Sequence, residues 1–153
     1  MQRISELERK YVLEALDNGF RTSLNSVFNN RMERKFAEIL NVKYAIGHVN
    51  GTATMHTALA ALGVKPGDEV IVPPLTMLST TLAVLHNNSI PVFADVDPDT
   101  FNIYPQSVRK KITAKTKAII SVSLFGLVAD YDELLKICNQ HNLFFACFTA
   151  HTG

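Results

Sequence analysis

The chain has 153 residues, the size of one domain, and 47% of them are hydrophobic, enough for a core. A formal charge of +1 argues against nucleic acid or an acidic surface as partner. Cys138 and Cys147 lack both close pairing and metal-ligand spacing, the charged N-terminus has no apolar signal core, and no apolar run reaches membrane-spanning length; these features predict a soluble cytoplasmic protein.

Ser5 with Glu8 three residues on predicts a capped first helix, lined by Leu7, Tyr11, Val12, Ala15 and Leu16 and ended by Gly19. A second helix is expected over 27–40, where Phe28, Met32, Phe36 and Leu40 recur every four residues. From Tyr44 onward strands and helices alternate. Strands are expected near 44–49, 69–72, 91–95, 117–122 and 143–147, and helices near 52–62, 77–87, 105–112 and 130–140. Apolar strands without alternation, such as Ala118-Ile119-Ile120-Ser121-Val122, fit a mostly parallel sheet covered on both faces. Pro66-Gly67, Pro73-Pro74 and Asp97-Pro98-Asp99 punctuate the elements as turns. One domain is expected over 1–153, with helices over 1–42 and β/α alternation over 43–153.

The segment Gly47-His48-Val49-Asn50-Gly51-Thr52-Ala53-Thr54-Met55-His56 carries the strongest chemical signal. It passes from an apolar run through a turn of small residues into a helical pattern. A helix start exposes unpaired N–H groups and a partial positive charge, which suits a phosphate. Gly51 allows close approach of the backbone, and the Thr52 hydroxyl adds a donor. Small residues also serve ordinary strand-to-helix turns, so the turn alone admits both readings. His48 and His56 flank it, and His56, one turn into the helix, reads as packing.

Three further stretches give the turn a context. Leu62-Gly63-Val64-Lys65-Pro66-Gly67-Asp68-Glu69-Val70-Ile71-Val72-Pro73-Pro74-Leu75-Thr76, Pro91-Val92-Phe93-Ala94-Asp95-Val96-Asp97-Pro98-Asp99-Thr100 and Thr116-Lys117-Ala118-Ile119-Ile120-Ser121-Val122-Ser123-Leu124-Phe125-Gly126 follow one another in register. With these motifs the chain resembles the DegT/DnrJ/EryC1/StrS family of sugar aminotransferases, from about Gly19 to about Phe145. The resemblance implies a three-layer α/β/α fold with a mostly parallel sheet, the partial large domain of the aspartate aminotransferase type (pyridoxal phosphate fold type I). It implies pyridoxal 5'-phosphate as cofactor, a keto nucleotide sugar and glutamate as substrates, and a homodimer. The family's chains are much longer, so the resemblance covers their N-terminal part.

A pyridoxal enzyme holds the phosphate, covers a ring face, pairs the pyridine nitrogen with a carboxylate and supplies a Schiff-base lysine. By resemblance, Gly51, Thr52 and Ala53 sit at the phosphate. Met77 falls where the family places an aromatic side chain against the ring, and core filler is the competing reading; a methionine still covers a ring with polarizable contact. The ring-nitrogen carboxylate falls on Phe148, which cannot replace it, and the family's glutamine falls on His151. The Schiff-base lysine falls beyond residue 153, and the lysines present, including Lys110, Lys111, Lys115 and Lys117, read as surface residues. No catalytic residue is therefore assigned.

Ser123, at a strand's C-terminal end, is a weaker candidate for substrate or cofactor contact. Asp95, Asp97 and Asp99 alternate, but with Pro98 they read as turn formers, and no metal site is expected. The expectation is an N-terminal fragment of an aminotransferase for keto nucleotide sugars of polysaccharide or antibiotic biosynthesis, inactive by itself and prone to self-association. The alternatives are a non-catalytic phosphate- or nucleotide-binding domain and a dimerising interaction module.

Overall fold

A computed structural model describes residues 4–18 and 26–149. The expected helix stop at Gly19 and the position of His151 lie outside them. The chain divides into two compact units, Met1–His48 and Val49–Gly153.

The first unit holds α1 (Glu6–Asp17) and α2 (Val27–Leu40). The Ser5–Glu8 capping box forms as expected, and hydrogen bonds from Ser5 hold the Glu8 carboxyl below its ordinary range. Ser26 caps α2, and Asn41 ends it in the left-handed region at φ 51°, which asparagine tolerates. Arg31 bonds Glu14 at 3.3 Å and lies over the rings of Tyr11 and Phe28. Neither helix buries a residue, and Leu13, Phe36 and Ile39 are all exposed.

Residues 44–49 do not form the expected strand. Tyr44 and Ile46 are each 72% exposed. An apolar run becomes a strand only where a neighbouring ladder accepts its N–H and C=O groups, and none of the described strands pairs with this one.

The second unit is built on four parallel strands, β1 (Glu69–Val72), β2 (Ile90–Phe93), β3 (Thr116–Ser123) and β4 (Phe144–Thr149), in the order β2-β1-β3-β4. Side chains alternate between the faces. Val70, Val72, Ala118, Ile120 and Val122 pack with Leu59 of α3 (Gly51–Ala61) and Val84 of α4 (Ser79–His86). Ile71 and Ile119 turn the other way, onto Val108 of α5 (Pro105–Lys111) and Leu134, Ile137 and Cys138 of α6 (Tyr131–His141). The result is the expected three-layer α/β/α arrangement. Burial pushes the Cys138 thiol up to about 11, the behaviour of an inert core cysteine. Among the described strands β4 lies at an edge, with Phe144 exposed and Phe145 and Phe148 half-buried.

Candidate cofactor site

The turns at the sheet's other end orient the site. Gly63 and Gly67 take left-handed φ of 76° and 85° in the link from α3 to β1. The Gly67 N–H donates to the Asn88 carbonyl, and Asn87 Nδ2 donates to the His56 carbonyl at 3.2 Å. The ends of α3 and α4 are thereby tied to the starts of β1 and β2. Both helices run against the strands, so the first turn of α3 lies toward the C-terminal edge of the sheet. In open parallel α/β sheets that edge is where ligands bind.

Asn50 caps this turn. Its Oδ1 accepts the Ala53 N–H at 2.9 Å, and its carbonyl accepts the Thr54 N–H and hydroxyl, each at 3.1 Å. The N–H groups of Gly51 and Thr52 take no part in these bonds. A Cβ added at Gly51 would meet no atom within 4 Å, and φ there is not left-handed. The chain's own packing does not demand glycine at 51. The residue leaves open space beside two N–H groups at the positive end of an 11-residue helix. The phosphate end of the expected cofactor therefore fits the residues present. The capping role of Asn50 goes beyond its part in the turn, and its position directly before the helical pattern is the signal for it.

Met77 lies two residues ahead of α4, outside the helix in which it was expected. Leu78 occupies the cap position and has no side-chain acceptor to start the helix earlier. Met77 is 71% exposed, so it is not core filler. With Leu75, Leu78, Phe125, Leu127 and Val128 it belongs to the exposed apolar residues that follow the ends of β1 and β3.

Ser123 ends β3 as expected, but it is 1% exposed. Its Oγ shares a 2.9 Å hydrogen bond with the Tyr131 hydroxyl, which also meets Cys147 Sγ. Burial, then the bond to Cys147, pushes the Tyr131 hydroxyl above its ordinary range. Strand parity puts Ser123 on the α6 face, opposite the face that packs against α3. Gly51 to Ala53 and Ser123 thus reach the same edge but different faces.

Phe148 is on the α3 face. It pairs in register with Val122 and packs against the apolar cluster that holds Leu59 and Val72. The ring-nitrogen end of the cofactor finds no carboxylate at Phe148, so that end does not fit. The aspartates behave as turn formers: Asp97 Oδ1 accepts the Asp99 and Thr100 N–H groups at 3.0 and 2.9 Å. Those bonds, the Thr100 one foremost, hold the Asp97 carboxyl below its ordinary range. Among the described residues no group of three or more potential ligands is placed to hold a metal. No described helix is long and apolar enough to cross a membrane.

The pattern of the DegT/DnrJ/EryC1/StrS aminotransferase family matches residues 2–152. GDP-perosamine synthase of Caulobacter vibrioides is 42% identical over 141 residues, which cover 92% of this chain and 38% of that protein. The L-glutamine:2-deoxy-scyllo-inosose aminotransferase of Streptomyces fradiae is 43% identical over 113 residues, 74% of this chain and 27% of that one. An aminotransferase from Psychrobacter cryohalolentis superposes with a TM-score of 0.88 at 35% identity, covering 95% of this chain and 37% of the other. NtdA of Bacillus subtilis, solved with bound cofactor PMP, superposes at 0.84 with 31% identity, covering 94% of this chain and 34% of its own. The chain thus spans well under half the length of the relatives it matches, and its α/β/α layers are part of the pyridoxal phosphate fold type I domain. By sequence pattern and by fold, it belongs to the DegT/DnrJ/EryC1/StrS aminotransferase family.

Proposed function

We propose that this chain carries the phosphate-holding part of a pyridoxal 5'-phosphate site. In complete form that site would serve transfer of an amino group from glutamate to a keto nucleotide sugar. The observation that carries the proposal is the first turn of α3, where Gly51 and Thr52 present N–H groups beside open space. The cofactor, when bound, supplies an electron sink for amino-group transfer. The residues here would contribute only binding: Gly51, Thr52 and Ala53 at the phosphate and Met77 against the ring. The family likeness supports a homodimeric complete enzyme. Free Cys138 and Cys147 suit a reducing cytoplasm.

Phe148 favours a second reading, phosphate binding without turnover by the 153-residue chain. We propose that the chain alone transfers no amino group. Titration with pyridoxal phosphate, followed by absorbance and competed with inorganic phosphate, tests the binding half. The expected result is saturable binding that phosphate displaces and Gly51→Val abolishes. Binding unaffected by Gly51→Val would refute the site. Borohydride reduction and peptide mapping test the other half; one stoichiometrically labelled lysine together with turnover would overturn it.

A further inference from the structure

Two histidines outside the phosphate turn meet across the contact between α3 and α4. His56 is half-buried in the middle of α3, and His86 is the exposed last residue of α4. Their ring centres are 5.7 Å apart and their planes stand at 68°. The backbone beneath them is fixed, because Asn87 Nδ2 donates both to the His56 carbonyl and to the Ala83 carbonyl, at 3.2 and 2.9 Å.

Two imidazoles sharing one transition-metal ion make nitrogen–metal bonds of about 2.0–2.1 Å, which sets their ring centres roughly 5 to 6 Å apart. The observed separation already lies in that span. The local charge is also permissive. Neither helix contains Lys or Arg, and His86 sits in the last turn of α4, where the helix dipole favours a cation. We propose that His56 and His86 together bind one divalent transition-metal ion of the zinc or nickel class, with water completing its coordination. The ion would tie α3, which begins with Gly51 and Thr52, to the helix that follows Met77.

Calorimetric titration of Zn²⁺ into the whole chain near neutral pH tests this, with thermal unfolding as a second readout. The expected result is one equivalent bound, a melting temperature raised by zinc, and binding weakened about tenfold or more in His56→Gln and in His86→Gln. His48→Gln and Cys147→Ser should bind as the parent does. Because His86 is exposed, His86→Gln remains informative even where His56→Gln fails to fold. No binding by the parent, unchanged affinity in His86→Gln, or loss of binding in Cys147→Ser would each overturn the proposal.

Discussion

Both units of this chain carry apolar side chains in regular patterns and use them in opposite ways. In the second unit Val70, Ile71, Val72, Ile119 and Ile120 are fully buried, because helices cover both faces of β1 and β3. In the first unit α1 and α2 carry apolar stripes at helical spacing yet bury no residue. Amphipathic pattern specifies which face wants cover; it does not provide the cover. Stability should therefore be concentrated in the sheet.

The largest test of that contrast is Ile119→Ala, which leaves a cavity between the sheet and α6. It should lower unfolding stability by about 3 kcal/mol in denaturant titrations, whereas Phe36→Ala on α2 should cost less than about 0.5 kcal/mol. Equal losses would show that Phe36 is as well packed as Ile119 and would break the contrast. Next in size is Asn50→Ala, which removes the cap on Ala53 and should cost about 1 kcal/mol. It should also weaken pyridoxal phosphate binding, as the first turn frays. Phe125 gives an effect of opposite sign: it holds φ 55° while 73% exposed. Phe125→Gly relieves that backbone at little loss of packing and should raise stability by about 0.5–1 kcal/mol. No gain would mean that the backbone strain at 125 is no larger than the freedom glycine adds to the unfolded chain. The smallest effect concerns Glu133, whose carboxyl is held below its ordinary 4.5, chiefly by the Arg109 guanidinium at 2.6 Å. A lowered carboxylate stabilises above its unfolded pKa, and that contribution fades as pH falls through the native value. Parent and Glu133→Gln stabilities should therefore differ at neutral pH and converge in acid.

Much of this was legible in the residues. The strands near 69–72, 91–95, 117–122 and 143–147 stand where apolar runs between turn formers put them, shifted by two residues at most. The start of α3 was readable because small residues mark such turns. Residues 44–49 were not, because strand state belongs to a pairing, and the run looks the same with or without a partner. Ser123 was correctly placed at a strand end, but the face it takes depends on register against β4 and on Tyr131 beneath it. The His56–His86 contact joins residues thirty positions apart through helix packing, which no local spacing encodes.

The order β2-β1-β3-β4 has a consequence for synthesis on the ribosome. β1 lies between β2 and β3, and β3 begins roughly forty residues after β1 ends. At about 5–20 residues per second, β1 waits several seconds with one ladder open after it emerges. β4 follows β3, and its segment Phe144–Thr149 has no charged residue to discourage a wrong neighbour. Yield of soluble chain should accordingly depend on translation speed and on holding chaperones more than on the stability of these four strands once paired.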